Sequence, residues 1–92
     1  MSQDTEDRII IWVQENIHGL ARRKILGRLL EASPDPVSGP ELMEHVYGDD
    51  PFGRPGNDAI KQNIFQLRKA TEAPFVINSY GNGRPGYWLE AR

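Results

Sequence analysis

The segment 58–72, DAIKQNIFQLRKATE, combines basic and amide side chains in a way that suits contact with a polyanion. Glutamine and arginine can form paired hydrogen bonds with base edges in the major groove of DNA, and lysine and arginine can meet phosphates. No acidic residue occurs over 59–71, whereas a surface helix more often mixes glutamate with its lysines. The side chains available for such contacts are Lys61, Gln62, Phe65, Gln66, Arg68 and Lys69. A solvated face that happens to lack acids explains the composition equally well.

The segment 77–92, INSYGNGRPGYWLEAR, places one cation, Arg84, among three glycines. Its apolar and aromatic flanks predict two strands joined by a glycine-rich turn. Such a tip can lie close to a nucleic-acid backbone, and an arginine there can enter the narrow minor groove. A lone loop arginine more often has no role. Because Arg84 and the segment 58–72 are close in sequence, together they support a nucleic-acid-binding surface more strongly than either does alone.

Catalysis finds no support in the residue pattern. The chain has no cysteine, which excludes disulfides, zinc–thiolate sites and cysteine nucleophiles. No Ser–His–Asp arrangement or paired-carboxylate spacing stands out. His18 and His45 are far apart, and neither is flanked by a carboxylate pattern. We therefore expect a binding protein rather than an enzyme, with no metal and no cofactor.

Length and charge limit the fold and the choice of partner. Ninety-two residues make one domain with a small core. The formal charge of −2 argues mildly against nucleic acid, but residues 57–92 carry five bases and three acids, and the local field matters more than the total. No apolar run approaches the roughly 20 residues of a membrane span, and the acidic N-terminus is not a secretory signal. We expect a cytoplasmic protein with no membrane partner.

Two helices are predicted ahead of the segment 58–72. The first spans 20–33, and the second spans 38–48. A capping box of Ser38 and Glu41 begins the second helix, and Gly48 is expected to end it in the left-handed conformation. Their expected buried residues are Ile25, Leu26, Leu29, Leu30, Leu42, Val46 and Tyr47.

The segment 58–72 itself predicts a third helix, capped by Asn57 and stopped by Pro74. Its apolar stripe consists of Ile60, Ile64, Leu67 and Thr71. The runs FVINSY and GYWLEA predict a closing hairpin.

The N-terminal part is harder to interpret. Residues 1–7 are expected to form a flexible tail, and the single domain is expected to span 8–92. The run RIIIWVQENIHGL fits a mostly apolar helix or a hairpin, and we favour a hairpin because β-branched residues and Trp12 suit a strand. Trp12 and Trp88 are expected to pack within the fold rather than to stack on bases. The result is an α+β fold of winged helix-turn-helix type: a short N-terminal hairpin, a three-helix core and a C-terminal hairpin wing.

At these residues the chain resembles the winged-helix effector domain of OmpR/PhoB-type response regulators, over about three quarters of its length. The stretch LARRKILGRLLEASPDPVSGPELMEHVYG resembles the first two helices of that family. IKQNIFQLRKA resembles its recognition helix, and INSYGNGRPGYWL resembles its wing. The dipeptides that close these three stretches in the family correspond here to Tyr47-Gly48, Leu67-Arg68 and Gly86-Tyr87.

The resemblance implies DNA contacts from the recognition helix and the wing. The residues so implied are Lys61, Gln62, Gln66, Arg68 and Arg84, and the helix arginines Arg22 and Arg23 are expected to flank the DNA backbone. In the family the loop before the recognition helix can touch RNA polymerase. This makes loop 48–57 a candidate partner surface, with Asp49, Asp50, Phe52 and Arg54 as its contact residues.

The chain also departs from the family pattern. Phe65 and Gln66 stand where basic residues are common, and the wing is about two residues longer. At most two strands fit before the first helix, where the family usually has four. No phosphoacceptor receiver domain fits within 92 residues, so phosphorylation-driven dimerisation is not expected within this chain.

Together these features predict a stand-alone, sequence-specific DNA-binding regulator of transcription, of bacterial or phage type. The helix 58–72 would lie in the major groove and the wing 81–86 in the minor groove. The alternative is a winged-helix module that binds a protein, such as polymerase or another regulator, with weak or no DNA binding. The acidic total charge and an exposed Phe65 would favour this alternative.

Overall fold

The computed structural model describes residues 1–48, 55–56, 58–70, 72–80 and 86–92. Several residues singled out above lie outside this part of the chain, namely Asp49, Asp50, Phe52, Arg54, Asn57, Thr71 and Arg84. The described residues form four helices and a two-stranded antiparallel sheet. The elements are α1 (Gln3–Asn16), α2 (Leu20–Ala32), α3 (Gly39–Tyr47), α4 (Ala59–Arg68), β1 (Phe75–Ser79) and β2 (Tyr87–Ala91). A small α+β fold is therefore confirmed.

The predicted N-terminal hairpin is wrong, because this segment forms the helix α1. Ser2 caps α1 by accepting a hydrogen bond from the amide of Thr5, so residues 3–7 form the first turns of a helix instead of a tail. Ile9 is buried, and Trp12 packs edge-on against Phe75 of β1 with ring centroids 5.4 Å apart. The β-branched run suits a strand locally, but burial of one side of a helix overrides that preference.

Helices α2 and α3 agree with the predicted segments to within one residue. Ser38 caps α3 by accepting a hydrogen bond from the amide of Glu41, and the Glu41 carboxylate pairs with Arg28 of α2 at 2.9 Å. The predicted left-handed cap at Gly48 is wrong, because this residue has φ −58° and ψ −32°. A glycine is nevertheless required there, since a Cβ atom would collide with the carbonyl oxygen of Glu44.

Helix α4 buries the three described residues of its predicted stripe but ends earlier than expected. Ile60, Ile64 and Leu67 are buried, whereas the helix ends at Arg68 rather than at residue 72. The amides of the next two residues bond to carbonyls only three positions back, which tightens and closes the last turn. Glu72 then adopts a positive φ of 63°, which turns the chain towards β1.

The hairpin places Phe75 opposite Ala91 and Ser79 opposite Tyr87. Val37, between α2 and α3, extends this sheet by exchanging two 2.8 Å backbone hydrogen bonds with Tyr87. Gly86 precedes β2 with φ 153°, and a Cβ atom there would lie 3.1 Å from the Tyr80 ring, so only glycine fits. Trp88 packs against Tyr80 with ring centroids 4.9 Å apart. The two tryptophans therefore pack within the fold as expected, although Trp12 does so from a helix.

Helix α2 lies at the centre of the molecule. It contacts α3, α4 and β2, and α1 packs against another of its sides through Ile9 and Val13. All buried side chains in the described segments are apolar. None of the described helices is long and apolar enough to cross a membrane.

Candidate nucleic-acid interface

The outer side of α4 is composed of amide and basic side chains and one phenylalanine. With Ile60, Ile64 and Leu67 turned inward, a period of 3.6 residues turns the intervening positions outward. Lys61, Gln62, Phe65, Gln66 and Lys69 are all exposed. Phe65 is 58% exposed, an unusual fraction for a phenylalanine in so small a domain. No acidic residue occurs within Ala59–Arg68, so this side of the helix has only positive formal charge.

An open groove of about 750 Å³, here called the α4 groove, runs along this side of the helix. Helix α4 contributes Lys61, Gln62, Phe65 and Gln66 to its lining, and Arg22 joins them from the first turn of α2. Tertiary packing thus brings together five of the residues that the sequence predicted for DNA contacts. Two of them are cations, two are amides and one is aromatic.

Tyr47 and Asn63 form a polar part of the groove that the sequence reasoning missed. The Asn63 amide donates hydrogen bonds to the Tyr47 hydroxyl at 3.3 Å and to the Ala59 carbonyl at 2.9 Å. Tyr47 was expected only as a buried residue of α3, and it is half-buried. The only signal in the sequence was that Asn63 falls between the apolar stripe and the polar face of α4. The pair joins α3 to α4 and so fixes one wall of the α4 groove.

Lys69 lies at the other end of the exposed face. Its ammonium group sits 4.4 Å from the centroid of the Phe65 ring, which is a cation–π contact. This contact orients both side chains on the outer surface of α4. It also places positive charge beside the aromatic ring, one helical turn beyond Gln66.

Arg68 is exposed at the end of α4 and also has partners within the fold. Its guanidinium group donates from Nε to the Ile77 carbonyl at 3.1 Å and from Nη2 to the Ser79 hydroxyl at 3.0 Å. These bonds tie the end of α4 to β1 and satisfy a carbonyl of that strand. Arg68 does not line the α4 groove. In the folded chain its hydrogen bonds therefore hold the helix and the hairpin together.

Arg22 and Arg23 are neighbours in sequence but project to different sides of α2. Arg22 lines the α4 groove, whereas Arg23 reaches α1 and donates hydrogen bonds to the carbonyls of Gln14 and Ile17. Carbonyls at the end of a helix lack partners within it, and α1 has no basic residue in its last turn. Arg23 supplies that positive charge from the next helix. Had the segment been predicted as a helix, its last carbonyls would have indicated that a positively charged partner was required.

No acidic residue of α1 lines the α4 groove. Asp4, Asp7 and Glu15 are exposed on α1, which packs on the side of α2 that carries Arg23. Among the described acidic residues, Asp58 at the N-terminus of α4 is therefore the one that lines the α4 groove.

Within the segments that the structure describes, no group of three or more His, Cys, Asp or Glu side chains is arranged to hold a metal ion. The predicted wing tip at Arg84 and the four predicted contact residues of the partner loop lie outside those segments. Comparison with family models, with curated proteins and with solved structures finds no match to this chain.

Proposed function

We propose that this chain is a winged-helix DNA-binding protein that regulates transcription. The observation that carries the proposal is the acid-free outer face of α4, joined by Arg22 of α2 in one open groove. The order of the elements also supports it. After α1 come helices α2 and α3, and Val37 between them forms a β-bridge to the hairpin. Helix α4 and then the hairpin follow, which is the element order of a winged helix-turn-helix.

The α4 groove contains the residue types that reading a duplex requires. An α-helix fits the major groove of B-DNA, which is about 12 Å wide. Gln62 and Gln66 can each donate to and accept from an adenine edge, and Phe65 can contact a thymine methyl group. Arg22, Lys61 and Lys69 can meet phosphates on either side. The wing 81–86 would then reach the adjacent minor groove through Arg84. A cytoplasmic setting suits such a protein, which has no cysteine.

The test is a salt-titrated measurement of binding to mixed-sequence duplex DNA by fluorescence anisotropy. Three phosphate contacts predict a slope of roughly −3 in a plot of log K against log salt concentration, because each contact contributes about −0.9. Lys61→Gln should flatten that slope by about one unit. Arg8→Gln is the matched control, because Arg8 is an exposed cation on α1, outside the α4 groove. No binding at low salt, or equal slopes for the two variants, would contradict the proposal.

A second candidate function is the binding of a polypeptide in the same groove. The 58% exposure of Phe65 and the net charge of −2 favour it, because interface cores are rich in aromatic side chains. The partner would be RNA polymerase or another regulator, with loop 48–57 as a further contact. Failure to bind duplex DNA at low salt, combined with Phe65-dependent binding to such a protein, would select this alternative.

A further inference from the structure

A second surface, on the opposite side of α2 from the α4 groove, has no assigned role. Leu20, Lys24, Gly27 and Glu31 recur at i, i+4, i+7 and i+11, so they form one stripe along the helix. All four are exposed, and Leu20 is 70% exposed. This stripe is called the α2 outer face below.

An apolar groove of about 280 Å³ runs beside the α2 outer face. Ile9, Ile10 and Val13 of α1 line one wall, and Leu26 and Leu30 of α2 line the other. Gly27 belongs both to this apolar groove and to the α2 outer face. Ile10 is 41% exposed, so the groove has an apolar rim open to solvent.

Gly27 lies in the interior of α2, where glycine is the least favourable residue after proline. A Cβ atom placed on Gly27 would meet nothing within 4 Å. Its backbone is helical, and it is not among the described residues with positive φ. Neither space nor conformation within the described chain therefore requires glycine. A missing side chain does permit the backbone of another helix to approach closely.

The charges on the α2 outer face are complementary to those on a second, antiparallel copy of the same face. Lys24 lies three residues before Gly27, and Glu31 lies four residues after it. If two copies of α2 cross antiparallel at Gly27, Lys24 of each copy faces Glu31 of the other, which gives two equivalent ion pairs. Within the described residues neither side chain has an ion pair, because the one pair formed there joins Arg28 to Glu41.

We propose that the α2 outer face is the contact surface of a symmetric dimer of this chain. A two-fold axis near Gly27 makes the surface its own partner, as an isologous interface requires. Leu20 and Ile10 would be covered by the second copy, and the two Lys24–Glu31 pairs would fix the antiparallel direction. Arg22 projects to the other side of α2, so dimerisation leaves the α4 groove open. The inference is independent of what that groove binds.

Sedimentation equilibrium of the full chain over a wide concentration range tests the dimer. We expect a monomer–dimer equilibrium in which Lys24→Glu and Glu31→Lys each weaken association at least tenfold. The double variant, with both charges exchanged, should return the dissociation constant to within about threefold of the original. Glu15→Lys is the matched control, because it makes the same charge change on a side of α1 that does not line the apolar groove, and it should have no effect.

Gly27→Leu separates loss of the interface from loss of the fold. Leucine is a good helix former, and the space in front of Gly27 is open, so the melting temperature of the monomer should not fall. The dimer should be lost because the two helices can no longer approach. A chain that is monomeric at every concentration would overturn the proposal and leave the surface to a different protein. A dimer that survives both single charge reversals, or one that the double variant fails to restore, would also overturn it.

Discussion

Lys61 and Arg68 are both exposed cations on α4, seven residues apart, but their surroundings differ. Lys61 projects into the α4 groove, and no described residue forms an ion pair with it. Arg68 donates hydrogen bonds to Ile77 and Ser79 and so joins the helix to the hairpin. The ammonium group of Lys61 has no partner among the described residues, whereas Arg68 has two of its N–H donors engaged and only the remaining ones available to a ligand. Lys61 is therefore available for recognition, whereas Arg68 also holds α4 to the hairpin.

The buried side of α4 should give the largest effect on folding. Leu67→Ala should lower the free energy of unfolding by roughly 2–5 kcal/mol, because it opens a cavity in the apolar core around a side chain that is only 3% exposed. Chemical denaturation followed by circular dichroism measures this change. A melting temperature within a degree or two of the original would show that Leu67 does not pack as described. DNA affinity per folded molecule should be little changed.

Arg68 should give an intermediate effect on folding. Arg68→Ala removes two hydrogen bonds from a charged donor, and we expect a loss of about 1–2 kcal/mol of stability because both bonds lie partly in solvent. Arg68→Lys keeps the charge but loses the planar guanidinium geometry, so it should be destabilised nearly as much.

Comparing the two Arg68 variants shows whether Arg68, unlike Lys61, acts only on the fold. If Arg68 acts only on the fold, both variants should lose stability and keep the salt slope of DNA binding. If Arg68→Ala flattens the slope and Arg68→Lys does not, then Arg68 also meets a phosphate. That result would show that Arg68, like Lys61, contributes a phosphate contact.

Gln66 should give the smallest effect on folding and a clear effect on recognition. Gln66→Ala should change stability by less than about 0.5 kcal/mol, because the side chain is exposed and alanine is a good helix former. It should lower discrimination between a selected site and random DNA by about 1–3 kcal/mol, the usual contribution of an amide that reads a base edge. Competition binding with the two DNA ligands measures the ratio. Unchanged discrimination would count against major-groove reading by α4.

Much of the central fold could be predicted from local sequence. Helices α2 and α3 follow from apolar spacing and from the Ser38 cap, and the inward stripe of α4 follows from residues three and four positions apart. These signals involve neighbouring residues on one helix, so the sequence contains them directly. The same periodicity identified the exposed face with Lys61, Gln62 and Gln66.

The tertiary structure decided what depends on contacts between distant segments. The run IIIWV is compatible with a strand or a helix, and only the contacts of Ile9 and Trp12 with the rest of the core select the helix α1. Arg22 and Arg23 have the same chemistry and adjacent positions. Their roles differ because a step of about 100° around α2 turns one towards the α4 groove and the other towards the carbonyls of α1. The sequence alone thus determined which side of α2, α3 and α4 faces the core. The packing decided which exposed polar side chains of these helices remain free to bind. The carbonyl and hydroxyl groups that bond to the remaining ones come from elements elsewhere in the chain.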